Sequence, residues 1–283
     1  MSRLRVLILT ALAMIAFAGN SLLCRQALKQ TSIDAATFTL VRIFSGALCL
    51  WIIVLIRKGS FAKAGSWPSA LALFGYAALF SFAYLRLTAG TGALLLFGAV
   101  QATMIFWALK KGERLRVIQI AGLLLALGGL IALVFPGLSA PPLGAAVFML
   151  GAGIAWGIYS LRGKGCGDPL RATAGNFLRA VPMALLLSVI ALRSANFDGA
   201  GVCYAIVSGA FASGVGYAIW YSALPALKAS AAATVQLSVP VLAATGGIIF
   251  LGESITWRFA LASVAVLGGI ALVILERQRT PGS

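Results

Sequence analysis

The 283-residue sequence predicts an all-α integral membrane fold, ten transmembrane helices forming two inverted five-helix repeats around a central cavity. Three observations lead there. Apolar residues make up 61% of the chain and charged ones 10%, against about half and about a quarter in soluble domains. The apolar residues gather into runs near the ~20 residues that cross a ~30 Å hydrocarbon core. The second half of the chain also echoes the first. One large soluble core is excluded, because such runs would leave no polar face for water.

Taken in order, the spans are 6–24, 35–56, 67–85, 91–109, 117–135, 143–161, 172–192, 199–221, 229–251 and 255–275. The first follows Arg3 and Arg5 and passes Ala16-Phe17-Ala18, which imitates a secretory cleavage site; its place in the repeat predicts that it stays as a helix. The second stops at Arg57-Lys58-Gly59, and Pro68 opens the third. Lys111-Gly112 ends the fourth, Pro136-Gly137 the fifth, and Pro141-Pro142 opens the sixth. Asp168-Pro169 precedes the seventh, and Pro225 follows the eighth. Proline at a helix start costs little, since its missing N–H would be unpaired there anyway. No linker is long enough to separate soluble domains, so one membrane domain is expected, repeat one over 1–137 and repeat two over 138–283.

The formal charge of +16 first suggests an acidic partner, but the 22 cations sit mostly in short gaps between apolar runs. With the N-terminus cytoplasmic, fifteen fall inside, five outside (Arg25, Lys29, Arg86, Arg193 and Arg258), and Arg42 and Arg179 within spans. Cytoplasmic loops carry this excess, so both termini are expected on the cytoplasmic face. No basic stripe interleaves with exposed aromatics, which excludes nucleic acid as a partner.

Self-similarity decides the architecture. GERLRVIQIAGLLLALGGL from Gly112 aligns with GESITWRFALASVAVLGGI from Gly252 at an offset of 140, placing Glu113, Gly128 and Gly129 on Glu253, Gly268 and Gly269. An offset of 137 places Arg42 on Arg179, and one of 138 places Gly19 on Gly157. Five spans is an odd number, so the second copy must enter from the opposite side, a plan that recurs in secondary transporters.

On these residues, the Gly-Glu closing spans four and nine, the Gly-Gly late in spans five and ten, and the 5 + 5 plan, the chain resembles the EamA-type drug/metabolite transporter superfamily. The whole string is similar to YddG-type aromatic amino acid exporters of bacterial inner membranes. The resemblance implies a monomeric multi-pass bundle in the inner membrane, without cofactor. Its partners would be lipid and a small-molecule substrate, an amino acid or related metabolite, exported through a central cavity. A broad drug or quaternary-ammonium exporter would share this fold.

The residues define candidate sites independently. Phe17 and Asn20 share one face of span one with Cys24; Tyr76, Phe80 and Tyr84 step by fours along span three. Trp156 and Tyr159 lie in span six, Tyr217 in span eight with Ser213 and Tyr221, and Gln101, Gln236 and Ser238 in spans four and nine. Polar atoms in lipid must find partners, so they are expected to point inward. Apolar walls with a few placed polar groups describe a small-molecule site. Tyr84, Tyr159 and Tyr221 sit near span ends, where interfacial anchoring is the competing role. Pro240, in QLSVP, is the expected hinge, since proline frees backbone bonds and bends a helix; packing alone is the alternative. Gly153 and Gly157, at GxxxG spacing, suit close helix contact or rocking between states. Arg42 and Arg179 either snorkel and bond carbonyls, or hold a substrate carboxylate. Glu113 and Glu253 either order a tight turn or act as gating contacts.

Absences matter as well. All six acids, Asp34, Glu113, Asp168, Asp198, Glu253 and Glu276, sit at span ends or in loops, and there is no histidine. Without an intramembrane proton or sodium relay, facilitative or exchange transport is expected. Cys24, Cys49, Cys166 and Cys203 form no CxxC pair, so no metal site is expected and the thiols should be buried and structural. No nucleophile, base or metal cluster lies within a span, so the chain is not expected to be an enzyme.

Overall fold

The computed structural model describes residues 2–58, 64–112, 115–137, 140–163, 166–227, 232 and 235–278. Over these the chain is helical: α1 (Arg3–Gln30), α2 (Ala35–Ile56), α3 (Trp67–Tyr84), α4 (Ala89–Lys110), α5 (Val117–Val134), α6 (Leu143–Gly163), α7 (Pro169–Ile190), α8 (Gly199–Ala226), α9 (Ser238–Leu251) and α10 (Trp257–Gln278). All but α9 are long and apolar enough to cross a bilayer. The protein is a multi-pass membrane protein.

Helix starts follow the sequence signals. Asp34 caps α2 by accepting from the backbone N–H groups of Ala36 and Thr37, and its other oxygen accepts from Asn196 N. Partial burial alone would raise this carboxyl's pKa, but bonds from Thr37, Asn196 and Ala36 outweigh it and hold the pKa below its usual value. Ser66, Thr88, Asp168 and Asp198 cap α3, α4, α7 and α8 in the same way. At the other end of α9, Gly252 adopts a left-handed φ of 62°, and Glu253 N donates back to Gly247 O at 3.0 Å. Gly112, after α4, has φ 90°. A side chain is strained in this conformation, which is why glycine stands before the glutamate in both halves.

Two features depart from expectation. Span nine begins its described continuous helix only at Ser238, with a turn at Leu237, and Pro240 falls in the first turn. There its missing N–H breaks no bond within α9. Span eight contains a π-helical segment, Ser208–Val215, which the periodicity of the sequence does not signal.

α5 packs on α10, α2 on α7, and α6 on both α3 and α4; α1 lies against α8 and α9. The α6–α4 contact needs glycine. A Cβ on Gly153 would lie 2.5 Å from Leu96 O, and one on Gly157 2.9 Å from Thr103. The core is rich in alanine, which lets helices approach closely. Large apolar side chains cover the outside, Leu7, Phe44, Leu124, Leu186, Phe250 and Val264 among them. That surface suits lipid, far exceeding the patches a soluble monomer exposes. The thiols are corrected in part: Cys24 is buried and Cys49 half-buried, but Cys166 and Cys203 are exposed. Cys203 is on α8, and Cys166 lies in the α6–α7 connection, where it lines the cavity described below.

Candidate functional site

A cavity of about 1340 Å³ runs from mid-bundle to one end of the molecule. Its inner wall carries Phe17 of α1, Gln101 of α4, Trp156 and Tyr159 of α6, and Tyr217 and Trp220 of α8. Its mouth carries Ser66, Lys111, Arg162, Asp168 and Arg171 from the connections at that end.

The inner wall is built from stacked rings. Trp156 lies between Tyr159 and Tyr217, with centroids at 5.2 and 5.4 Å and planes 28° and 20° apart. Phe17 tilts against Tyr217 at 5.8 Å and stands edge-on to Trp220 at 6.1 Å. On the other side of Trp156 is Tyr76 at 4.8 Å, then Phe80 and Tyr84. One aromatic column thus runs from the cavity along α3 toward the opposite end.

The candidate residues divide accordingly. Phe17, Gln101, Trp156, Tyr159, Tyr217 and Gln236 line the cavity. Asn20, Tyr76 and Phe80 form a layer behind it. Asn20 donates to Tyr76 Oη at 3.2 Å and accepts from Ser208 Oγ at 2.6 Å, the first residue of the π segment. Such segments recur at functional sites. Tyr84 is fully buried at the far end, donating to Ala89 O, and does not stand exposed as an interfacial anchor would. Ser238 Oγ donates to Val235 O and Gln236 Nε2 to Ala232 O, each to a carbonyl three or four residues back along span nine.

Sequence reading did not select Thr173 and Asn176, which line the cavity. Tyr159 Oη donates to Thr173 Oγ1 at 3.1 Å, Thr173 donates to Tyr221 Oη at 3.4 Å, and Asn176 Nδ2 donates to Tyr159 Oη at 3.4 Å. The available signal was two polar side chains at i and i+3 inside apolar span seven.

The two in-span arginines have different surroundings. Arg179 Nη1 donates to the carbonyls of Ala64 and Gly175, tying the α2–α3 connection to α7. Arg42 is 2% exposed; its Nη2 donates to Tyr76 Oη at 3.0 Å, and its guanidinium lies 4.8 Å from the Phe80 ring and 5.2 Å from that of Tyr76.

The end opposite the mouth is closed by a latch. Arg25 of α1 pairs with Glu253 at 3.2 Å and donates from Nη1 to the carbonyls of Tyr84 and Leu85. The second Glu253 oxygen accepts from Ala89 N at 2.8 Å, at the start of α4, where the helix dipole favours an anion. Glu253 therefore joins four elements. Its repeat equivalent Glu113 lies outside the described residues. Among the described residues no group of His, Cys, Asp or Glu is arranged to hold a metal.

Comparison with known proteins agrees with this architecture. The model of the EamA-like transporter family matches twice, over residues 4–135 and 143–275. The chain is 58% identical over 274 residues to the uncharacterized protein PA1977 of Pseudomonas aeruginosa, covering 96% of each. It is 24% identical to the uncharacterized transporter YoaV of Bacillus subtilis, over 82% of this chain and 85% of that one. It is also 34% identical over 124 residues to the threonine/homoserine exporter RhtA of Escherichia coli K12, covering 42% of this chain and 41% of that one. A crystal structure 18% identical in sequence superposes with a TM-score of 0.69 over 97% of this chain and 99% of that one, so the fold is shared. With both halves matched by the same model, the chain belongs to the EamA-like transporter family.

Proposed function

We propose that this protein exports small amphipathic metabolites, aromatic and other neutral amino acids foremost, across the bacterial inner membrane by alternating access. The observation that carries the reading is the stacked Tyr159–Trp156–Tyr217 wall inside a cavity with one open mouth. Planar rings offer a planar or aliphatic side chain apolar contact. Gln101, Thr173 and Asn176 supply polar groups for a zwitterionic end. RhtA, similar over 41% of its length, is named as a threonine/homoserine exporter. The mouth carries Lys111, Arg162 and Arg171, three of the fifteen cations assigned to the cytoplasmic side, so in this reading the open end faces the cytoplasm and this is the loading state.

Two inverted halves, 1–137 and 138–283, account for the rocking. The family model matches each half once, and each match holds five helices. The contacts respect the exchange of the halves: α2 meets α7 and α5 meets α10, while the α3–α6 contact has its counterpart in α8–α1. In this reading Pro240, beside the turn at Leu237, is the hinge of span nine.

The same rings would attract a cation, which favours a drug or quaternary-ammonium exporter as the second reading. A flux assay separates the two. The full-length protein in proteoliposomes is expected to move labelled phenylalanine and threonine and to leave ethidium and tetraphenylphosphonium behind. Movement of the cations alone would replace the amino acid reading with the second one.

A further inference from the structure

The aromatic layer behind the cavity encloses a cation that pairs with no acid among the described residues. Arg42 lies about two turns into α2, buried to 2% exposure, a depth at which an unpaired guanidinium is costly. Its Nη1 is buried without a hydrogen-bond partner among the described residues. Among the described residues every acid is engaged elsewhere. Asp34 and Asp198 cap helices, and Asp168, Glu253 and Glu276 pair with Arg171, Arg25 and Arg116. Arg179 indicates what a purely structural arginine finds in this fold, namely two backbone carbonyls. Arg42 instead has one phenol oxygen and two ring faces.

The surroundings of Arg42 connect to the cavity wall. Tyr76 Oη accepts from both Arg42 and Asn20, and the Tyr76 ring rests 4.8 Å from Trp156, which lines the cavity. One ring layer therefore separates the guanidinium from the cavity.

We propose that Arg42 is the specificity-determining anchor for a substrate carboxylate, reached when the Tyr76 ring gives way, so that substrates of this transporter must carry a carboxylate. A carboxylate offers a guanidinium two parallel bonds and supplies the missing counter-charge, while a substrate without one would leave Arg42 unbalanced. A net positive charge there also repels cationic drugs. The proposal rests on the export reading and names the chemical class that reading leaves open.

The test uses full-length protein in proteoliposomes, with thermal unfolding in detergent as a readout independent of flux. The probes are L-phenylalanine, 3-phenylpropionate, which keeps the carboxylate and lacks the ammonium, and phenethylamine, which does the reverse. Phenylpropionate is expected to compete with labelled phenylalanine for efflux and to raise Tm. Phenethylamine should do so more weakly by roughly ten- to hundredfold, the worth of a charged hydrogen-bonded pair. Arg42→Gln should erase this preference, and R42K should restore part of it. If R42Q does not fold, the analogue series on the wild-type protein still decides. Equal competition by amine and carboxylate in the wild type, or an R42Q protein that keeps the preference, overturns the proposal and leaves amino acid export standing. No efflux of any amino acid from the wild type overturns the export reading, and the anchor with it.

Discussion

Trp156 is touched by rings from both halves of the chain, Tyr76 of α3 and Tyr217 of α8, and by Tyr159 of its own helix. Removing the indole takes away both the stacking surface and the spacer in front of Tyr76. Stacking contributes about 1 kcal/mol beyond area burial, so Trp156→Ala is expected to lower export at least about fivefold at unchanged protein level, and Tyr159→Ala to lower it as well. Transport assays normalised to membrane-inserted protein check this; wild-type rates in both would remove these residues from the site. Tyr159 also donates to Thr173, so Y159F should separate the loss of ring from the loss of hydroxyl. Position in the fold distinguishes these residues from Tyr84, which sits in the same column but is buried at the far end and donates to Ala89 O.

The helix ends decide which face is closed. At the far end α1, the end of α3, the start of α4 and the turn after α9 meet through Arg25 and Glu253. For that end to open, this pair must part. Both side chains are largely buried, and a charge-assisted bond of this kind is worth about 2 kcal/mol. Cys24, fully buried beside Arg25, is a native reporter. In a chain whose other three cysteines are serine, Glu253→Gln should raise labelling of Cys24 by a small methanethiosulfonate about tenfold. Unchanged labelling would mean that the pair does not hold this end shut. The turn itself should survive in E253Q, because the left-handed Gly252 and the bond from the residue-253 N–H to Gly247 O do not involve the carboxylate.

At the scale of the whole molecule, the apolar exterior faces lipid and the polar atoms turn inward. The described spans hold no acid within their membrane-crossing middle, and the chain has no histidine. Flux in proteoliposomes is therefore expected to follow the substrate gradient alone, at equal rates with and without an imposed pH difference. Flux that requires and follows the proton gradient would refute this.

Much of this was legible in the residue string. Nine of the ten spans, the glycine turn before Glu253 and the membrane environment follow from local rules, since apolar length and φ preference depend on near neighbours. The faces carrying Phe17, Trp156 and Tyr217 were legible too, because helical periodicity groups them. What periodicity does not encode is how far a face lies from the bundle axis. Only tertiary packing sent Tyr76 and Phe80 behind the cavity wall, brought Thr173 and Asn176 into it, and closed Arg25 onto Glu253. It also separated two arginines that the repeat makes equivalent, because Arg179 found carbonyls within reach and Arg42 found rings. Partners across the bundle are chosen by the assembled geometry of many helices, and no local pattern carries that information.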